Sequence, residues 1–192
     1  MSVQDRIKSS MYRFVDDTPQ IHEIIQLVKA IKSATELTFD NTPFVKVYIY
    51  GGFIRDVIAG IESIDIDVKL VGNNSMTTWK IIFKNLITNL QKLIPNMKIL
   101  TELDRNSYQN LSLLLNDIKF DITMNPKPSK LDFTVNTLML DLSGNITTSS
   151  TFTLEEIYNH IINKKLIQID AVVDSHRLEK MLSKGYSFPA EG

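Results

Sequence analysis

Residues 47–70 read "VYIYGGFIRDVIAGIESIDIDVKL", and two features in this stretch decide the fold. A chain with only seven glycines sets two of them, Gly51 and Gly52, side by side after a run of β-branched and aromatic residues. The next such run, "SIDIDVKLV", alternates apolar with polar residues, the pattern of a half-exposed strand. Side chains two apart on a strand project to the same face. Asp65 and Asp67 therefore share one face, while Ile64, Ile66 and Val68 share the other. Between the two strands "RDVIAG" fits a short helix ended by Gly60.

Working outward, Ile21, Ile24, Ile25, Val28 and Ile31 recur at helical spacing, so residues 20–35 predict an amphipathic helix. "NTP" at 41–43 breaks it, and 44–50 reads as the strand before the glycines. "SMTTWKIIFKNLITNLQKLI" predicts a long helix from a Ser75 N-cap to Pro95. "MKILTEL", "NLSLLLN" and "IKFDITM" are three strand-like segments, and "NPKPSK" at 125–130 is a loop. "DFTVNTLML" suggests a helix capped by Asp132, and "SGNI" a turn. "TLEEIYNHIINKK" is a helix starting near Ser150 or Thr153, "LIQID" a strand, and "DSHRLEKMLSKG" a last helix with Gly185 at its C′ position. Helices mixed with antiparallel-capable strands, without a regular βαβ rhythm, imply an α+β fold with a mixed sheet.

The 192 residues, 43% hydrophobic and 22% charged, suit one domain with a real core. Cysteine is absent, which excludes disulfides, thiolate metal sites and a cysteine nucleophile, and fits a reducing compartment. With no stretch long enough to span a bilayer and no apolar leader, the expectation is a soluble, cytoplasmic protein without a membrane partner. A net charge of −1 lacks the basic balance usual for gripping a nucleic-acid backbone. The three histidines show no metal-ligand spacing, and neither a G-x-S-x-G nor a Walker-type loop occurs.

Two carboxylates about 7 Å apart along a strand can converge on one hard cation. With a third from a neighbouring strand they can hold a metal pair roughly 3.5–4 Å apart, the arrangement that moves phosphoryl groups. Asp121, flanked by apolar residues in "IKFDITM", is the candidate third. The bland alternative is a half-exposed strand with a polar face. At the glycines, a missing Cβ lets a phosphate approach the main chain, the following helix start favours an anion, and Arg55 offers charge-assisted hydrogen bonds. A lone Gly-Gly is otherwise only a tight turn.

Taken together, the motifs resemble a known family: the nucleotidyltransferase head of tRNA CCA-adding enzymes and bacterial-type poly(A) polymerases. "YGGFIRDVIAGIESIDIDV" resembles its G-G-x-x-R-D-x-x-x-G…D-x-D signature, "DFTVNTLMLDLSGNI" its R-D-F-T-x-N-A motif, and "VDSHRLEKMLSKGYSF" its E-D-x-x-R segment. The resemblance implies a polymerase β-like head over residues 44–170, after an N-terminal helical extension (1–43) and before the start of a neck-like helix (171–192), with body and tail absent. It implies that Asp65 and Asp67 ligate Mg²⁺ (or Mn²⁺), with Asp121 as a catalytic companion inferred from spacing. It assigns Gly51, Gly52, Arg55 and Lys180 to the triphosphate, and Asp174 with Arg177 to the base edge. The partners implied are a nucleoside triphosphate and the 3′ end of a tRNA or mRNA, with a protein partner to supply RNA grip. Departures are Leu131, where the family has an arginine, and Val173, where it has a glutamate. They leave two alternatives open, a catalytically idle nucleotide-binding or scaffold module and a minimal transferase modifying a protein or small molecule.

Overall fold

The computed structural model describes residues 1–9, 27, 29–31, 33–34, 46–63, 65–72, 76–100, 110–124, 132–141, 143–170 and 172–190. Strand β1 (Lys46–Tyr50) turns through the glycines into helix α1 (Gly52–Ala59), which leads to β2 (Asp65–Val71). Helix α2 (Met76–Leu93), β3 (Lys98–Ile99), β4 (Asn110–Leu115) and β5 (Ile118–Met124) follow. A single 3₁₀ turn (Thr134–Asn136), β6 (Leu138–Asp141), β7 (Ile146–Thr148), α3 (Leu154–Ile162) and α4 (Ser175–Ser183) complete the order. The strands form one seven-stranded sheet, β3-β4-β5-β2-β1-β6-β7. Only β2 and β5 pair in parallel; the other neighbours are antiparallel. The α+β class with a mixed, mostly antiparallel sheet flanked by helices is the observed one.

Period-two alternation sorts the sheet into two faces. Val47, Ile49, Ile66, Val68, Leu70, Leu111, Leu113, Phe120 and Ile122 are buried in one core with Ile82, Phe83, Leu86 and Leu90 of α2 and Phe53, Ile54, Val57 and Ile58 of α1. The intervening residues of β1, β2 and β5 form the polar face. Gly60 ends α1 in the left-handed conformation (φ 69°, ψ 28°), the role its position predicts. Thr153 caps α3 through a capping box: its hydroxyl accepts from the Glu156 amide and the Glu156 carboxylate accepts from the Thr153 amide.

Residues 3–9 are helical, as are the described residues of 27–34. Ile7, Leu27, Ile31 and Ala34 belong to the same core as the sheet, and Arg6 pairs with Glu155 at 2.6 Å. At the other end, Met181 and Tyr186 are core residues too. The rest of the predicted 20–35 helix, the 41–43 break, the start of the 44–50 strand, Ser75, Ile64, the 101–103 end of "MKILTEL", the 125–130 loop and Leu131 lie outside the described residues.

Two expectations are corrected. "DFTVNTLML" is not a helix: it makes one 3₁₀ turn and then strand β6. The Asp132 carboxylate accepts from the next amide and from Asn136 instead of capping a longer helix, and Leu138–Asp141 pairs with β1 and β7. "LIQID" is not a sheet strand. Its Gln168 makes a single bridge with Phe133, and the preceding Lys165 one with Ser187, while the Leu166 amide donates to the Ser187 carbonyl, which ties the 3₁₀ segment to the chain beyond α4.

Phe120 is fully buried at the middle of β5. Phe120→Ala is expected to lower unfolding free energy by about 3–5 kcal/mol, and Thr153→Ala by about 1 kcal/mol, both read from urea denaturation midpoints at unchanged m-value.

Candidate active site

The β1–α1 corner sets the site. Gly51 adopts φ 74°, ψ −131°, outside the range of an ordinary side chain. Its amide donates to the Leu138 carbonyl at 3.1 Å, which pins the corner to β6. A Cβ at Gly51 would stand 3.9 Å from an Asp67 carboxylate oxygen, and one at Gly52 only 3.2 Å from Arg55 Nη2. The second glycine thus makes room for a guanidinium lying against the main chain.

That guanidinium is turned inward. Arg55 is 4% exposed, its Nε donates to Asp56 at 2.8 Å, and Nη1 reaches the Asn136 side-chain oxygen and the Met181 sulfur. Asp56 also accepts from Lys184. The Asn136 amide donates to Asp132 at 2.8 Å, and the other Asp132 oxygen accepts from Arg177 Nε at 2.6 Å. The result is a continuous chain, Lys184–Asp56–Arg55–Asn136–Asp132–Arg177, joining α1, the 3₁₀ turn and α4. Arg55 lines the cleft together with the expected nucleotide contacts Gly51, Gly52, Arg177 and Lys180, with Nε and Nη1 engaged in this chain.

Across the corner lies a cleft of about 350 Å³, lined by Gly51, Gly52, Asp65, Asp67, Asp121, Asn136, Arg177 and Lys180 among others. Tyr50, Asp67, Asp121 and Ser112 lie side by side on neighbouring strands. Asp65 stands beside Lys119 one step along the same face. Asp67 has its proton affinity raised, first by burial and then by the negative charges of Asp121 and Asp65, with Lys180 and Arg177 pulling the other way. The Tyr50 phenol is likewise pushed up by burial and by Asp67.

The sequence-predicted residues separate into three groups. Asp65, Asp67, Gly51, Gly52, Arg177 and Lys180 meet at the cleft. Asp121 meets them too, but its carboxylate is engaged by Lys119 at 2.7 Å and by the Ser112 hydroxyl. Among the described residues no group of three His, Asp or Glu stands at metal-ligand spacing. The oxygen donors of Asp65 and Asp67, crowded by like charge, fit a hard divalent cation; Asp121 in this arrangement serves its lysine instead. Asp174 is exposed at the α4 N-cap, its carboxylate accepting the amides of His176 and Arg177 at 2.9 and 3.2 Å. It is not among the cleft residues, and Arg177 pairs with Asp132 instead. Sequence reading missed Lys119, Asn136, Met181 and Lys184 as site residues. The D-F-T-x-N spacing was the available signal for Asn136, whereas nothing local marks Lys184.

No protein-family model matches the sequence, and no curated protein does. Solved structures do. A CCA-adding enzyme in complex with ATP superposes with a TM-score of 0.63 at 18% identity, over 93% of this chain and 42% of that one. The Thermotoga maritima CCA-adding enzyme complexed with tRNA gives 0.57 at 18%, over 88% and 36%. A tRNA-processing enzyme with CTP gives 0.53 at 18%, over 80% and 40%. The chain shares the fold of these structures. The chain spans about two fifths of the length of these structures. No helix among the described residues is long and apolar enough to cross a membrane.

Because folding raises the Asp67 pKa, the native state holds this proton more tightly than the unfolded chain does. The stability so gained is present below the unfolded value and is lost as pH rises through the folded one. Asp67→Asn is therefore expected to raise the melting midpoint at pH 7 without divalent cations by about 2–4 °C, an advantage over the wild type that shrinks as pH falls through the Asp67 titration. Scanning calorimetry across pH checks both; an unchanged or lower midpoint contradicts the proposed crowding.

Proposed function

We propose that this protein is a metal-dependent, template-independent nucleotidyltransferase. It moves a nucleoside monophosphate from ATP or CTP to an RNA 3′-hydroxyl. The observation that carries the reading is the meeting of Asp65 and Asp67 with the Gly51–Gly52 corner and the cations Arg177 and Lys180 around one cleft. In the reaction the 3′-oxygen bonds to the α-phosphorus, the bond from that phosphorus to pyrophosphate breaks, and the hydroxyl proton passes to solvent. Asp65 and Asp67 would hold Mg²⁺ or Mn²⁺, which lowers the pKa of the attacking hydroxyl and neutralises charge at phosphorus.

The chain's own residues supply orientation. The Gly51–Gly52 corner, free of Cβ atoms, lets a triphosphate lie against the α1 start. Lys180 faces the negative charge of the triphosphate. Arg177, held at Nε by Asp132, presents its two terminal nitrogens, unpaired among the described residues, to a phosphate or a base edge. Lys119, held by Asp121, adds a third cation at the opposite side. A partner protein supplying grip on the RNA body fits the near-neutral net charge.

A second reading, nucleotide binding without turnover, is favoured by the engagement of Asp121 with Lys119 and Ser112. Incubation with α-labelled ATP or CTP, Mg²⁺ or Mn²⁺, and tRNA truncated at successive 3′ positions or oligo(A) is expected to label the RNA. Asp65→Asn and Asp67→Asn should each remove the label; retained labelling in either contradicts the two-aspartate mechanism. Calorimetric binding of ATP with Mg²⁺ but no pyrophosphate release on any acceptor supports the second reading. A nucleotidylated protein or small molecule in the product mass spectrum moves the acceptor away from RNA.

A further inference from the structure

Directly behind the row of Tyr50, Asp67 and Asp121 lies a second row on the same polar face: Tyr48, Lys69, Thr123 and Asn110, adjacent in register across β1, β2, β5 and β4. Two residues along a strand separate the rows, about 7 Å. None of the four is buried, and Asn110 is exposed. Lys69 is half-buried. It has no carboxylate partner among the described residues, and its ammonium stands 5.7 Å from the Tyr50 ring centroid. A half-desolvated cation without a counter-ion is a ready site for an anion. The acidic residue bordering this row, Asp141, pairs in register with Tyr48. Its carboxylate is consumed by its own turn, accepting from the amides of Ser143 and Asn145 and from the Asn145 side chain.

We propose that the Tyr48–Lys69–Thr123–Asn110 row is a track for the last single-stranded nucleotides of the RNA acceptor, leading its 3′ end to Asp67. This deepens the proposed function and rests on it. The chemistry is that of sheet-borne single-strand recognition: an aromatic ring offers a stacking surface, a lysine takes a backbone phosphate, and hydroxyl and amide groups meet sugar and base edges. Period two makes the track continuous with the carboxylates, since Lys69 follows Asp67 on one face of β2. The composition excludes a hydrophobic partner helix, because the row carries one ring and no aliphatic side chain.

The test uses the full chain with a 5′-fluorescent single-stranded RNA twelve-mer in Mg²⁺, read by anisotropy. Lys69→Gln and Tyr48→Leu are each expected to weaken RNA binding about tenfold. Lys69→Gln should also reduce the salt dependence by about one counter-ion. ATP binding by calorimetry and the melting midpoint should stay at wild-type values, which separates a track defect from misfolding or loss of the nucleotide site. In the incorporation assay the same variants should raise the KM for RNA and leave that for ATP unchanged. Wild-type affinity and KM for RNA in both variants overturn the track while leaving the transferase reading intact. Failure of the wild type to bind ATP strikes the transferase reading itself. A wild type that binds ATP but no single-stranded RNA, or that binds duplex RNA equally well, overturns the track.

Discussion

A buried guanidinium holds this site together. Removing Arg55 and Asp56 from water is costly unless both are paired and hydrogen-bonded, and here every link of the chain from Lys184 to Arg177 finds a partner. Its length is what matters. It crosses from the first turn of α1 to the 3₁₀ turn and on to α4, elements separated by up to 128 residues in the chain. Low dielectric makes each link stronger than it would be in water. The same condition makes the loss of any one partner expensive for the others. Gly52 belongs to this constraint, since a side chain there would press on the guanidinium that closes the network.

The network divides the cations into two kinds. Arg55 and Lys184 are consumed in holding the frame. Arg177 is fixed by one nitrogen to Asp132, while its side chain remains 59% exposed, so it is aimed without being used up. Against this frame stands Asp67, whose proton affinity is raised by its burial and then by the charges of Asp121 and Asp65. Such a cluster survives because the opposite face of the same strand buries Ile66, Val68 and Leu70 completely or nearly so. One strand therefore carries both the stabilising and the strained side of the design.

The legible part of the molecule follows from local periodicity. The β2 alternation, the Gly60 stop, the helix start near Thr153 and the long α2 helix all depend on neighbours within a few residues, and all appear in the structure. The parts that misled depend on distant partners. Phe133–Asn136 carries the residues of a helix start, but the Thr134 amide bonds to the Ile167 carbonyl and the Ile169 amide to Asp132. Those contacts stop the helix after one turn and simultaneously deny "LIQID" a place in the sheet. Likewise Asp174 and Arg177 look like a pair by spacing. The Asp174 carboxylate instead turns to the α4 amides, and Arg177 finds Asp132, 45 residues away. The cap is a local choice that an Asp at a helix start favours; the Arg177 partner is not written in the segment itself.

Asp121 shows how register turns a residue type into a role. Its position opposite Asp67 is what spacing on two strands predicts, and a third carboxylate there would ordinarily complete a cation site. Parallel pairing of β2 with β5, however, also brings Lys119 alongside Asp65. Lys119 and Asp121 are two apart on one strand, hence on one face, and the ammonium reaches the carboxylate at 2.7 Å. The acid therefore neutralises its own strand neighbour and holds that cation at the edge of the cleft. The same period of two that sets Asp65 and Asp67 on one face supplies the lysine that engages Asp121 and stands beside Asp65, while Lys180 and Arg177 offset the charge around Asp67 only in part.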